Sequence, residues 1–293
     1  MKRLLLPPLL ALAILAAACG VDSTSDETTI STTPTTTSPP SVPGGNEDGV
    51  LLQLSHEGGF APAAFIVNRV PTLTLFTDGT ILSEGPTPAI FPGPALPNMQ
   101  QSVIDRQTLA DILELIEIIG FPEFAEVRNN DAANFVADAT DTVVRYFDDS
   151  GEHLFSVYAL GIGALPNDPG RQPPEEILNL GLLVDLLNNA SFSDATEPYE
   201  PTALQLVMLL NEGPADPQFA NSMPWPFGDL SIGDFVGNGF LSCATIDGAR
   251  VPGAVAALAG ANSMTTYELD GQEHHVLARP LIPGEKPCAM LDR

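Results

Sequence analysis

The chain has 293 residues, of which 11 are Lys or Arg and 37 are Asp or Glu, so its formal net charge is -26 at pH 7. Hydrophobic residues make up 44% of the chain, enough apolar surface to form a folded core, which excludes wholesale disorder. A chain this acidic repels nucleic-acid phosphates and anionic lipid headgroups, so we predict no nucleic-acid partner and no direct binding to such headgroups.

Residues 1–18 have the layout of a secretory signal peptide. Lys2 and Arg3 precede an apolar run, residues 4–18, that is too short to span a membrane and remain there. The run ends in Ala16, Ala17 and Ala18, directly before Cys19, an arrangement that resembles the lipobox of bacterial lipoproteins. That resemblance implies that Cys19 becomes the diacylated N-terminus, since two acyl chains suffice for stable anchoring. The alternative is an ordinary signal peptide whose cleavage leaves a soluble secreted protein.

Residues 19–47 are predicted to form a disordered tether. Between positions 22 and 45, 17 of 24 residues are Ser, Thr or Pro. Such a segment buries too little apolar surface to offset the entropy lost on ordering. About 25 residues in an extended, polyproline-like state reach roughly 75 Å, which would hold a folded body away from the membrane. Stalks of this composition are also common substrates for O-glycosylation.

Three segments show the alternating pattern and turn residues typical of β-hairpins. The first, residues 72–82, turns at Asp78-Gly79. The second joins residues 142–147 to 153–158 through the polar turn 148–151. The third joins residues 265–269 to 274–279 through Asp270-Gly271.

Helical spacing of apolar residues predicts a helix over 109–119, with Asp105 as its N-cap and Gly120 as its stop. A second helix opens at Pro174 and continues through the apolar run 177–187, a third covers 254–261, and residues 202–208 are strand-like. The predicted fold is α+β, with antiparallel hairpin-built sheets and amphipathic helices packed on one face. The repeated order of helix and hairpin suggests two related half-domains, residues 48–190 and 191–293.

If Cys19 carries lipid, Cys243 and Cys288 are left as an even pair. In an oxidising exterior such a pair is expected to form a disulfide. The bridge would stabilise the fold by about 4 kcal/mol in the chain-entropy model. The alternative is a free catalytic thiol, but no His flanks either Cys in the sequence.

Several of these features together resemble uncharacterised secreted lipoproteins of actinobacteria. They are the lipobox-like end of the signal peptide, the Thr/Pro stalk, the Asp78-Gly79 hairpin followed by the 109–119 helix, and the Arg-Pro-Leu-Ile-Pro segment at 279–283. The resemblance implies an extracytoplasmic protein anchored to the outer face of the bacterial cell membrane through lipid on Cys19. Such families have no assigned activity, so the resemblance implies no chemistry.

The short motifs of well-known enzyme sites are absent from the sequence. There is no Gly-x-Ser-x-Gly elbow, no His-Glu-x-x-His pair and no phosphate-binding Gly-x-x-x-x-Gly-Lys loop. His274 and His275 are neighbours on a predicted strand, where successive side chains point to opposite faces, so a shared metal ion is disfavoured. His56 and His153 are interpreted as surface or turn residues.

A polar stretch with clustered acids, residues 129–142, has some features of a calcium site. Asp131, Asp138 and Asp141 supply the oxygens that Ca²⁺ prefers, but their spacing does not match an EF-hand loop. We therefore favour a solvated acidic loop, and we predict no metal and no cofactor.

Two long loops rich in Pro and aromatic residues, 86–97 and 213–228, are the most function-like features of the sequence. Their predicted partner-binding residues are Phe91, Pro92, Leu96, Trp225 and Phe227. The alternative is that Phe91 and Trp225 fold inward and cap the core. The sequence favours a non-enzymatic binding or interaction module for an unknown protein or cell-wall partner. The alternative is a cell-envelope hydrolase with a carboxylate-based site.

Overall fold

The computed structural model describes residues 42–120, 136–162, 173–191, 195–209, 221–237 and 240–292. All of them belong to one unit, Pro39–Arg293. The predicted signal peptide, Cys19, most of the predicted tether, Asp131 and residues 213–220 lie outside the described residues. In the part of the chain that is described, no helix is both long enough and apolar enough to cross a membrane.

The first sheet takes its strands from the chain up to Pro198. They are β1 (Val50–Gly58), β2 (Leu73–Phe76), β3 (Thr80–Glu84), β4 (Met99–Val103), β5 (Thr140–Asp148), β6 (Gly151–Tyr158) and β7 (Glu197–Pro198). Their spatial order is β6-β5-β1-β2-β3-β4-β7, and every neighbouring pair is antiparallel. The hairpins β2–β3 and β5–β6 confirm two of the three sequence predictions. Gly79 in the first turn has φ 87°, a left-handed conformation that glycine adopts without steric cost.

Two longer helices accompany this sheet where the sequence predicts them, and a short helix that was not predicted precedes them in the chain. A short helix, α1 (Ala63–Val67), follows β1, and the longer helices are α2 (Arg106–Ile119) and α3 (Glu175–Ser191). The Asp105 carboxylate accepts hydrogen bonds from the backbone N–H groups of Gln107 and Thr108, and Gly120 ends α2 with φ 76°. Both longer helices pack their apolar sides on one face of the sheet, where the buried residues include Leu52, Leu54, Ile112, Ile116, Val144, Phe155, Leu180 and Leu183.

The second sheet uses the rest of the chain. Its strands are β8 (Ala203–Leu209), β9 (Asn221–Pro224), β10 (Val236–Gly237), β11 (Leu241–Asp247), β12 (Thr265–Leu269) and β13 (Gln272–Pro280). Their order is β10-β11-β8-β13-β12-β9, with only the β9–β12 pair parallel among the described strands. The β12–β13 hairpin confirms the third prediction, and the α+β fold class is confirmed as a whole.

Helix α4 (Val251–Leu258) packs on this second sheet and begins three residues earlier than predicted. The second core contains Leu204, Leu206, Met208, Ile246, Val251, Ala254, Leu258, Tyr267 and Val276. Strand β9 lies inside the interval 213–228, which the sequence analysis treated as loop throughout. Its partner β12 is 44 residues away along the chain, so no local pattern announces the pairing.

The chain after β13, residues 281–292, is called the C-terminal segment below. It covers part of the first sheet on the face opposite helices α2 and α3. There the Gln53 amide donates to the backbone carbonyl of Pro283 (3.5 Å), and Ile282 is buried against Leu82. Gly284 approaches so closely that a Cβ on it would lie 3.1 Å from Val50 Cγ2. The C-terminal segment therefore joins the two sheets.

Three further contacts fix the C-terminal segment. The predicted disulfide between Cys243 and Cys288 is confirmed, with Cα atoms 5.7 Å apart. The Cys288 N–H donates to Oε1 of the buried Gln205 (2.9 Å). The Glu285 carboxylate accepts from Arg279 (2.7 Å) and from the Ile282 N–H (2.9 Å). Held at both ends, this stretch forms a rigid edge beside the first sheet.

Candidate functional site

A cleft of about 300 Å³ lies between the first sheet and the C-terminal segment. Gln53 and Ser55 of β1 line it, together with Arg145 of β5, which stands directly opposite Gln53 in the strand register. These positions alternate with the core residues of β1, so they belong to the face that the helices leave uncovered. Residues 66–67, residues 69–71 and Glu285–Lys286 complete much of the lining. The cleft thus gathers polar groups from three distant parts of the sequence.

Basic residues are concentrated at this cleft. The described residues include six Lys or Arg side chains, and four of them line it: Arg69, Arg145, Arg279 and Lys286. By contrast, the described residues include 27 Asp or Glu side chains, and only Glu57, Glu152 and Glu285 line it. In a chain with a net charge of -26, positive groups are thus not outnumbered in the lining of this cleft.

Two of the four cations are already paired. Arg145 Nη1 lies 2.7 Å from Glu152 Oε1, and Arg279 Nη1 lies 2.7 Å from Glu285 Oε2. The first pair is partly exposed, whereas Arg279 is only 6% exposed. The Arg279 Nε–H has no hydrogen-bond partner among the described residues. Arg279 is therefore a buried cation whose hydrogen-bonding capacity is only partly used.

The other two cations have no carboxylate partner among the described residues. Arg69 Nη1 donates to the backbone carbonyls of His56 (3.2 Å) and Gly58 (2.8 Å), which orient the guanidinium without neutralising it. Lys286 forms no ion pair with any residue that the structure describes. Partial burial, and secondly the positive charge of Arg69, lower the pKa of His56. Arg69 and Lys286 thus bring uncompensated positive charge to the cleft.

A cluster of Ser, His and Asp at the β5–β6 turn has the residue types of a catalytic triad but not its geometry. His153 Nε2 lies 2.9 Å from Asp148 Oδ1 and 3.1 Å from Ser150 Oγ, so both partners meet the same ring nitrogen. A triad needs them on opposite nitrogens. Partial burial works against ionisation of Asp148, but hydrogen bonds from Ser150 and His153 outweigh it and lower its pKa to about 2. The cluster fastens the hairpin turn and activates no nucleophile.

The predicted partner-binding residues divide between core and surface. Phe227 is 1% exposed, and Trp225 meets it edge-to-face while donating its indole N–H to the Leu230 carbonyl (2.8 Å). Leu96 packs on the same second core. Trp225 therefore folds inward, as the alternative interpretation had it, and Phe227 belongs to no exposed surface.

Phe91 behaves differently from these three residues. It is 62% exposed, next to an equally exposed Ile90, and Pro92 is partly exposed. The loop that carries them is tied to the second sheet at its far end, because Ser263 N–H donates to the Gly93 carbonyl (2.8 Å) and Ala95 N–H to that of Ala261 (3.3 Å). Phe91 and Pro92 are thus presented on an anchored loop.

Among the described residues, the His and Asp side chains that could bind a metal ion do not come together at one site. In the described ranges, no group of three or more His, Cys, Asp or Glu side chains has a metal-binding arrangement. His275 Nε2 lies 3.0 Å from the carbonyl oxygen of Ser263, and the adjacent His274 occupies the next position of β13. Asp141 lies in β5 and Asp138 just before it, while Asp131 is not described.

Comparisons with known proteins add no relative, because the chain matches no family model, no curated protein and no solved structure. The cleft residues were not identified in the sequence analysis, since Arg69, Arg145 and the stretch from Arg279 to Lys286 lie far apart in the chain. One signal could have drawn attention to them. With only 11 Lys and Arg in the whole chain, each basic residue of the body is unusual in its surroundings.

Salt is expected to stabilise the folded protein, because most of its acids lie outside the cleft and repel one another through solvent. The Debye length falls from about 30 Å at 0.01 M to about 3 Å at 1 M, which removes this repulsion. We expect the full chain in a nonionic detergent to melt several degrees higher in 1 M NaCl than in 10 mM NaCl. A calcium site would instead saturate at millimolar CaCl₂. A melting temperature that is flat or falls with NaCl would contradict a solvated negative surface.

Proposed function

We propose that the protein is a lipid-anchored, extracytoplasmic binding module that holds a small ligand in the cleft between the first sheet and the C-terminal segment. The observation that carries the proposal is the convergence of four of the six described Lys and Arg side chains on this cleft. A volume of about 300 Å³ is at the lower end of the range typical of small-molecule sites. The rigid edge formed by the C-terminal segment favours a largely preformed site.

Binding is favoured over hydrolysis by what the cleft carboxylates do. A carboxylate-based hydrolase needs one carboxyl group that donates a proton and a second that acts as base or nucleophile. Glu152 and Glu285 each accept a hydrogen bond from an arginine at 2.7 Å. Two of the three described cleft carboxylates are thus engaged in orienting arginines, and the third, Glu57, does not by itself supply the pair that such a hydrolase needs. The cleft is therefore built to keep arginines in place.

The proposed location rests on the N-terminal sequence. Lipid on Cys19 would anchor the chain to the outer face of the cell membrane, and the Ser/Thr/Pro-rich tether would let the body reach roughly 75 Å from it. Phe91 and Pro92, exposed on an anchored loop, are a second proposed contact, for a protein or cell-wall partner. Trp225, Leu96 and Phe227 would support that loop from below.

A ligand screen tests the proposal. The full chain in nonionic detergent is melted against a panel of small anions, cations and neutral sugars, and we expect at least one to raise the melting temperature in a saturable way. Ser55→Phe fills the cleft without changing its charge and should abolish that shift. Ser222→Phe, at an exposed position on β9, is the matched control and should preserve it.

Two results would contradict the proposal. Equal binding to the Ser55→Phe variant would place the ligand elsewhere on the protein. Release of a hydrolysed product from any compound of the panel would favour the cell-envelope hydrolase instead.

A further inference from the structure

We propose that the ligand of the cleft carries an oxyanion group, a carboxylate or a phosphate, and that Arg69 and Lys286 bind this group. The inference rests on the proposed function, because it names the ligand class of the same cleft. It names two contact residues and a ligand class, and either can be refuted while the proposed binding function stands.

The described hydrogen bonds orient the Arg69 guanidinium but use only one of its nitrogen atoms. Only its Nη1 donates to described residues, and both acceptors are backbone carbonyls at the end of β1. A guanidinium has five N–H donors in a planar fork that fits the oxygens of carboxylate and phosphate groups. The remaining donors of Arg69 are therefore available for such a group, and the two carbonyl contacts reduce the entropy lost on binding.

Lys286 is the second unpaired cation, and its neighbours restrain its backbone on both sides. Glu285 is held by Arg279 and by the Ile282 N–H, and Cys288 is bonded to Cys243. Lys286 thus lines the cleft from a restrained stretch of backbone, while the first sheet supplies other parts of the lining. Charge-assisted hydrogen bonds to an ammonium are about twice as strong as neutral ones.

Arg279 supports the same assignment from the interior. It lines the cleft, it is buried, and its Nε–H has no partner among the described residues. A buried donor without an acceptor is costly to the fold. The lining of the cleft therefore includes a hydrogen-bond donor that no described residue satisfies.

The net charge of the whole protein also favours the cleft as the place where an anion binds. A body with this excess of acids repels free anions over most of its surface, so an anion is captured only where cations are concentrated locally. The cleft supplies that concentration, and two of its three described carboxylates, Glu152 and Glu285, are already paired with arginines.

The test is a titration calorimetry series on the full chain in nonionic detergent at low ionic strength. The probes are succinate, inorganic phosphate and succinamide, the uncharged counterpart of succinate. We expect at least one of the two anions to bind saturably and succinamide not to bind. Lys286→Met and Arg69→Gln should each weaken anion binding by about tenfold or more. Lys286→Arg should restore most of the affinity.

Arg106→Gln is the matched control for lost charge. Arg106 is exposed at the start of α2, outside the cleft, so its replacement should leave anion binding within about twofold of the original. The choice between succinate and phosphate identifies which oxyanion the cleft prefers.

Three outcomes would overturn the inference. Unchanged anion binding in both cleft variants would remove Arg69 and Lys286 from the site, and an equal loss in Arg106→Gln would indicate diffuse attraction only. Binding of succinamide or another neutral compound in place of the anions would refute the ligand class while leaving the proposed binding module intact. The proposed function itself would be removed by the absence of every ligand in the wider screen, by equal binding to the Ser55→Phe variant, or by release of a hydrolysed product.

Discussion

Replacing Cys19 with Ser is expected to move the protein from the membrane fraction to the soluble fraction. The thiol is the only group on which the lipobox-like sequence can place a lipid. A single acyl chain gives marginal and reversible membrane binding, whereas two chains give stable anchoring, so removal of both leaves no comparable attraction. The net charge of -26 adds repulsion from anionic headgroups. Detergent-free fractionation of cells, followed by immunoblotting of both fractions, measures the change.

A double variant, Cys243→Ser with Cys288→Ser, is the matched control, because it also replaces Cys by Ser but leaves Cys19 in place. It should stay in the membrane fraction. Undiminished membrane retention of the Cys19→Ser variant would contradict lipid anchoring through this residue. Release of both variants would indicate that misfolding, and not the loss of lipid, drives the change.

Loss of the Cys243–Cys288 bridge is expected to have the largest effect on stability. It closes a loop of 45 residues, and in the chain-entropy model its removal costs about 4 kcal/mol, which lowers the melting temperature by roughly 10 °C. The structure adds a local consequence. Cys288 lies two residues after Lys286, so loss of the bridge also frees the backbone that carries Lys286. The double variant should therefore bind anions more weakly than the unchanged protein even where it is fully folded.

Thermal melts of the double variant measure its stability, and anion titrations at a temperature where it is folded measure its binding, so the two effects are separated. Reduction of the unchanged protein should reproduce the lower melting temperature. Non-reducing peptide mapping should recover the linked pair from exported protein, and a Cys288 that is fully alkylated without reductant would contradict the bridge.

Local chemistry explains why much of the fold was predictable. The Asp78-Gly79 and Asp270-Gly271 turns are short-range signals, as is the Asp105 cap of α2, and each depends on residues within one turn of the chain. The even pair of cysteines likewise restricts the bridge to one choice once Cys19 is set aside. The folded structure keeps these features because no distant contact competes with the local preference.

Strands β1 and β9 show what local patterns miss. Residues 50–54 of β1 are buried on both faces, one by the helices and the other by the C-terminal segment, so the alternation that marks a half-exposed strand is absent there. Strand β9 is formed by pairing with β12, far along the chain. In each case the deciding partner is remote in sequence.

The candidate site could not be predicted for the same reason. Arg69 and Lys286 are more than two hundred residues apart, and only the crossing of the C-terminal segment over the first sheet brings both to one cleft. Binding residues were predicted in the aromatic-rich loops instead, because the composition of a loop can be read from a short stretch of sequence. Burial of Phe227 and the inward fold of Trp225 depend on the second core, which no local pattern reveals.

One spectroscopic measurement tests the central claim most directly, that the cleft is a ligand site. The chain has two lysines, Lys2 and Lys286, and Lys2 lies in the predicted signal peptide, so Lys286 would be the only lysine of the exported chain. Reductive methylation with ¹³C keeps its charge and gives one lysine resonance that reports on the cleft. We predict that succinate or phosphate shifts this resonance saturably, and that the Ser55→Phe variant loses the shift. A resonance that responds no differently to these anions than to NaCl of equal ionic strength would contradict the account.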